Sequence, residues 1–189
     1  MKIYIKQPNE RPIPVTVRIE WLPNGKIKPL MYWTPDNSCY VIKHIYESTL
    51  LAFLKEKGEG IRFRVKAEIE GAPNYMDYAR HEVYLYIVDN RFCAKNFIDG
   101  RYANPLKEYI PVVLDVFPDA EYELVSFRVG QNCYMVEDTL DVEFRSSYKI
   151  AGMGIWHKVR VRMMDEECCH ASLVWEMDKW LIYKKASAG

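Results

Sequence analysis

Long apolar runs are missing from this sequence of 189 residues. None approaches the roughly 18 consecutive apolar residues that a membrane-crossing helix needs, so no membrane partner is expected. Met1–Lys6 opens directly into an alternating strand pattern, without the apolar core of a secretory leader. Cysteine is scarce and odd in number: there are five, and their spacing makes no disulfide framework. Together these shortages point to a reducing, cytoplasmic setting. Net charge is also missing, because 26 basic and 26 acidic residues cancel. That weakens any case for strong attraction to a polyanion. No serine-esterase elbow, metalloprotease helix or paired glycosidase carboxylates can be read. No catalytic residue and no cofactor follow from the sequence.

What remains is a composition suited to folded β structure. Hydrophobic residues make up 49% and aromatics 14%, with 14 tyrosines, the amphipathic rings that half-buried strands favour. Charge is divided unevenly along the chain. Residues 1–97 hold 15 Lys and Arg against 11 Asp and Glu, and residues 98–189 hold 11 against 15. Opposite signs would help the two halves dock or copies pair head to tail. The simpler account is two solvated surfaces that differ in charge.

The chain also repeats itself. Ile13–Pro14–Val15 returns as Ile110–Pro111–Val112, and Cys39–Tyr40 returns as Cys133–Tyr134. Gly58–Glu59–Gly60–Ile61 returns as Gly152–Met153–Gly154–Ile155. The alternation Arg62–Phe63–Arg64–Val65–Lys66 is matched with Lys158–Val159–Arg160–Val161–Arg162. Self-similarity of this kind fixes the unit of folding before any single residue does. The expected organisation is a first β unit at 1–97, a packed connector at 98–109 and a second β unit at 110–189.

Within the first unit, Ile13–Trp21 is expected as a strand, Pro23–Asn24–Gly25 as a hairpin turn and Ile27–Trp33 as the return strand. Cys39–Ile45 continues the meander after Thr34–Asn37. Tyr46–Lys57 is ambiguous between helix and strand, and strand followed by a turn fits its counterpart Leu140–Tyr148 better. Ile61–Ile69 is a further strand. Gly71–Arg80 has no counterpart of similar length, and His81–Val88 with Arg91–Phe97 makes a closing hairpin. The second unit closes similarly through Ala171–Glu176 and Lys179–Lys184. Short strands without helical crossovers commonly lose their edges by closing. The expected fold is therefore all-β, with two similar small antiparallel β barrels or strongly curled sheets.

Each candidate site competes with a structural role. Cys168–Cys169–His170 with His157 has zinc-binding chemistry, but adjacent strand residues point to opposite faces and cannot easily serve one ion. Cys39 and Cys133 hold equivalent places without a neighbouring base, so they fit small core residues better than nucleophiles. Cys93 is expected in the core of a closing strand. Gly58, Gly60, Gly152 and Gly154 lack the spacing and Lys-Ser/Thr end of a phosphate loop and are expected as turns before strands. Arg62, Arg64 and Lys66 share one strand face, as do Lys158, Arg160 and Arg162. Such stripes, with aromatic rings nearby, have the chemistry to hold single-stranded nucleic acid. The alternative is a charged solvent face, and Asp165–Glu166–Glu167 beside the second stripe favours it.

The order of elements in each half resembles that of small uncharacterised bacterial β-rich proteins. The shared features are an opening strand, an aromatic turn, a Tyr-apolar strand, a Gly-x-Gly segment, a basic strand and a final hairpin ending in an aromatic. They run through Val15–Trp21, Trp33–Ile42, Gly58–Lys66 and Tyr84–Phe92, and again through Val112–Phe117, Phe127–Val136, Gly152–Arg162 and Leu173–Trp180. The resemblance covers most of the chain and implies no activity, cofactor or catalytic residue. The functional expectation is a non-catalytic cytoplasmic protein-interaction or scaffolding module. Neutral charge and tyrosine-rich rigid surfaces suit a protein partner. Single-stranded nucleic-acid binding through the basic strand faces is the competing expectation.

Overall fold

The computed structural model describes residues 2–6, 11–53, 58–71, 80–89, 109–119, 121–147, 152–163, 169–176 and 179–182. Among them every regular element is a strand. The first seven are β1 (Lys2–Lys6), β2 (Ile13–Pro14), β3 (Thr16–Trp21), β4 (Ile27–Trp33), β5 (Cys39–Phe53), β6 (Gly58–Ile69) and β7 (Arg80–Asp89). The remaining six are β8 (Val112–Val116), β9 (Tyr122–Val129), β10 (Asn132–Ser147), β11 (Gly152–Arg162), β12 (Cys169–Glu176) and β13 (Lys179–Ile182). The strand expected at Ile13–Trp21 is thus divided at Val15. The ambiguous Tyr46–Lys57 stretch continues β5 as far as Phe53. The expected connector lies outside the described residues apart from Tyr109, as do Cys93, Cys168, the Arg91–Phe97 strand and most of the Gly71–Arg80 insertion.

The chain forms two compact units, and both are discontinuous in sequence. Unit 1 comprises Met1–Ile19, Lys28–Lys95 and Asp115–Glu123. Unit 2 comprises Glu20–Ile27, Asn96–Leu114 and Leu124–Gly189. Each therefore includes the tip of a hairpin from the other half of the sequence. Both tips have the turn chemistry that their residues dictate. The Leu22 amide donates to the Lys26 carbonyl across Pro23–Asn24–Gly25, where Gly25 takes φ 81°, a conformation cheap only without a Cβ. Likewise the Phe117 amide donates to the Glu121 carbonyl.

In unit 1 antiparallel pairing runs β4-β5-β6-β7-β1-β2. In unit 2 it runs β9-β10-β11-β12-β13. Neither run returns to its first strand. The expectation of closed barrels or strongly curled sheets is therefore corrected: the fold is all-β and built of open sheet. Closure is not the only way to manage an edge, and very short outer strands do so as well. Here β2 is two residues long and carries Pro14, which has no amide to offer a further strand.

The two long strands carry the clearest repeat in the geometry. Along β5 the register with β6 slips at Lys43 and again at Tyr46. Along β10 the register with β11 slips at Glu137 and Leu140, each 94 positions later. Each slip is a β-bulge, one extra residue that bends its strand. A ring pair recurs beside each long strand: Tyr32 is stacked on Tyr40, centroids 5.0 Å apart, and Phe127 on Tyr134 at 5.1 Å.

This register corrects two matches made on sequence alone. Lys158 stands in the place of Arg64 and Arg160 in that of Lys66, while Trp156 stands where Arg62 does. The opening strands are matched through their turns, Leu22 with Phe117, so Val15 corresponds to Ile110 and not to Val112. The four glycines are also corrected. Gly58 and Gly60 lie within β6 opposite Phe53 and Leu51, and Gly152 and Gly154 lie within β11 opposite Ser147 and Arg145. They are ladder positions, not turns, and Gly60 and Gly154 are buried there.

Alternation along these strands builds the cores. Ile5, Val15, Val17, Ile19, Tyr32, Ile61, Phe63, Val65, Ala67, Val83, Leu85 and Val116 are buried in unit 1. Trp21, Ile27, Ile110, Val112, Leu114, Leu124, Phe127, Val159, Val161, Leu173 and Trp180 are buried in unit 2. Each fully buried large apolar side chain contributes about 1.5–3 kcal/mol. Unit 2 adds an indole cluster, with Trp175 edge-on to Trp21 at 5.8 Å and stacked on Trp180 at 6.0 Å.

Candidate interaction surface

The six basic residues singled out from sequence do stand on strand faces, and the structure sets carboxylates among them. In unit 1 the Arg62 guanidinium donates to Glu47 at 2.9 Å, and that of Arg64 donates to Glu82 at 3.0 Å. Arg64 also lies over the Tyr46 ring, 5.1 Å from its centroid. The Tyr46 hydroxyl bonds Glu82 and is thereby held above its usual pKa. Glu82 is held below the usual carboxylate range by its bond from Arg64, with Tyr46 and the charge of Lys66 acting in the same direction.

Unit 2 repeats the pattern with other partners. Arg160 donates to Asp138 at 3.1 Å, and Arg162 pairs with Glu137. Lys158 stands across the ladder from Asp141. Every one of the six cations therefore has a carboxylate for a neighbour. These partners come from adjacent strands, Glu82 in the unbroken register of β6 with β7 and the others in registers that pass the bulges, a relation that spacing along one strand does not reveal.

The bulges also sort the side chains of β10. Val136, Thr139, Val142 and Phe144 stand across from Val161, Val159, His157 and Ile155. Asp138, Asp141 and Glu143 stand across from Arg160, Lys158 and Trp156. One series is thus largely apolar and the other acidic. From Glu137 to Phe144 every residue is exposed, so the strand shows both series to solvent. Phe144 is 69% exposed, Val142 54%, Met135 50% and Leu140 41%. These residues were missed in the sequence. Their signal was the stretch Asp138–Phe144, where carboxylates and apolar residues share a strand that has a basic neighbour.

A shallow cleft of about 160 Å³ opens on unit 2, lined by Asp141, Glu143, Trp156, His157, Lys158 and Ser172. Register accounts for its lining: Asp141, Lys158 and Ser172 lie abreast on β10, β11 and β12, and Glu143 faces Trp156. The cleft joins two carboxylates to an indole surface, with one ammonium and one hydroxyl at its side. Indole faces and carboxylates both favour cations.

The remaining sequence candidates are not brought together. Among the described residues no group of three or more His, Cys, Asp and Glu is placed to hold a metal ion. His157 is buried against Trp180, ring centroids 5.0 Å apart. Burial lowers its pKa to about 4, against the opposing effect of a hydrogen bond to the Ile155 backbone. It stands where unit 1 has Phe63. Cys39 is half-buried, and burial, aided by a bond with Glu70, pushes its thiol up to about 11. A thiol so protonated is a poor nucleophile. Cys133 is exposed.

No helix among the described residues is long and apolar enough to cross a membrane. Comparison of the chain with protein-family models, curated proteins and solved structures finds no match in any of the three.

Proposed function

We propose that the protein is a non-catalytic, cytoplasmic protein-interaction module whose contact surface lies on β10 of unit 2. The observation that carries this reading is the exposure of Met135, Leu140, Val142 and Phe144 along one strand. Scattered exposed apolar residues are ordinary, but several along one element mark a surface that a partner covers. The carboxylates beside Arg62, Arg64, Arg160 and Arg162 support a protein partner over nucleic acid. A phosphate backbone would have to displace them before gaining its own contacts.

The test is capture of partners from native lysate on the tagged protein, with nuclease present, compared with the Val142→Ser/Phe144→Ser variant. Recovery of a stoichiometric protein by the wild type and its loss from the variant are expected. Equal recovery by both, or recovery abolished by nuclease, overturns the reading.

A further inference from the structure

Resting on the reading of a protein-binding module, we propose that the cleft on unit 2 holds an arginine side chain of the partner, its guanidinium bonded to Asp141 and lying on the Trp156 ring. In unit 1 the Arg62 guanidinium crosses diagonally from β6 to bond Glu47 on β5 at 2.9 Å. Register gives unit 2 Asp141 in the place of Glu47 and Trp156 in that of Arg62. The carboxylate is thus kept while its guanidinium is lost, and the cleft of about 160 Å³ opens at those two positions. The described residues that line it include no arginine.

Elsewhere the same chain shows what an aspartate and an indole do together. In unit 1 Arg18 donates two bonds of 2.6 Å to Asp115 and lies over Trp33, 5.2 Å from the ring centroid. The cleft offers both kinds of partner, an exposed Asp141 and a half-buried Trp156. Diagonal neighbours on paired strands lie roughly 7–8 Å apart. Asp141 is also one methylene shorter than Glu47, which leaves width for a planar group between acid and ring. A guanidinium suits that slot better than an ammonium, because it stacks on an aromatic face and presents paired donors in its plane to a carboxylate. Lys158 stands in the place of Arg64, which in unit 1 turns to Glu82 and leaves Glu47 to Arg62. Unit 2 has His170 where unit 1 has Glu82, so Lys158, at the side of the cleft, is a competing charge. Val142 and Phe144 alternate with Asp141 and Glu143 along β10 and face the other side of the sheet. The cleft is therefore a second contact, separate from the apolar one.

The experiment is titration of the protein with arginine blocked as its N-acetyl methylamide, followed by NMR at the Asp141 amide and the Trp156 indole. Blocked lysine and blocked citrulline, which has arginine's shape without its charge, are titrated in parallel. Arginine should bind at least about tenfold more tightly than citrulline, the worth of a charge-assisted hydrogen bond, and more tightly than lysine. Asp141→Asn should weaken it by about the same factor. Trp156→Arg restores the unit 1 residue and should abolish binding by filling the slot from within, whereas Lys158→Gln should tighten it. Asp141 and Lys158 are exposed, so their variants should keep the fold even if Trp156→Arg does not. Binding of lysine or citrulline equal to that of arginine, no loss in Asp141→Asn, or weaker binding in Lys158→Gln overturns the proposal. If blocked arginine fails while lysate capture still depends on Val142 and Phe144, the cleft assignment is wrong and the interaction reading stands. If arginine binds but capture yields no protein, the interaction reading falls, and with it the claim that the guanidinium belongs to a partner.

Discussion

β5 and β10 have nearly the same backbone and expose different chemistry. Both are long, both pair with the following strand, and both bulge at positions 94 apart. At the second bulge unit 1 has Tyr46, tucked under Arg64 and bonded to Glu82. Unit 2 has Leu140 there, without a polar group to engage its neighbours. Two residues on, Ser48 is replaced by Val142. Beneath these positions the exchange runs the other way, since apolar Phe63 in unit 1 becomes His157 in unit 2. Bulge geometry is thus independent of what the strand displays. At the second bulge a position tied down by polar contacts in unit 1 is left apolar in unit 2, while ion pairs recur elsewhere along β10.

The largest effect should come from emptying the indole cluster that only unit 2 possesses. Trp180→Ala should cost about 4 kcal/mol, as large-to-small changes in a core do, read as a shift of the urea midpoint. Amide exchange should accelerate in β11–β13 before it does in β5–β7.

Next is the acid response that His157 gives unit 2. The unfolded chain takes up this proton near pH 6.5, whereas the folded chain does so only at about 4. The contribution to stability is therefore complete above pH 6.5 and is lost as the pH falls toward 4, by up to about 3 kcal/mol. His157→Phe restores the unit 1 residue and should remove that part of the acid sensitivity. Parallel denaturant titrations of both proteins from pH 7 to 4 measure the difference.

A smaller contrast separates the two ion pairs that hold the hairpin tips. In unit 1 Arg18 grips Asp115 with two bonds of 2.6 Å and lies over Trp33 at 5.2 Å. In unit 2 Arg128 bonds Glu20 from a more exposed position. Asp115→Ala should cost about 1–2 kcal/mol, the range for a charge-assisted hydrogen bond discounted for partial exposure. Glu20→Ala should cost less than about 1 kcal/mol. Equal losses would show that the two tips are held alike. The smallest change in stability should come from Phe144→Ser, within about 0.5 kcal/mol of the wild type, although combined with Val142→Ser it is expected to abolish partner capture.

Strand alternation made the all-β class legible, and Asn24–Gly25 made the first hairpin legible, because both signals are local. Closure was not legible, since it depends on which strands meet at long range. The glycines misled because a residue without a side chain suits a ladder position as well as a turn. The basic stripes were found correctly as residues but matched two positions out of register. Nothing in Lys43, Tyr46, Glu137 or Leu140 announces a bulge, yet those four residues decide which acid stands opposite which base. The exposed β10 surface stayed hidden for the same reason, because burial of an apolar strand residue depends on neighbours distant in sequence.

The shared hairpin tips also order events during synthesis. Unit 1 includes Asp115–Glu123 and the Arg18–Asp115 pair, so it cannot be completed until Glu123 has left the ribosome. Unit 2, in contrast, includes Glu20–Ile27, which emerges long before the rest of that unit. The early half of the chain must keep both its own unfinished site and this lent segment available while the later half is made. Unit 1 can thus be completed once Glu123 is made, and unit 2 only after the strands that follow it.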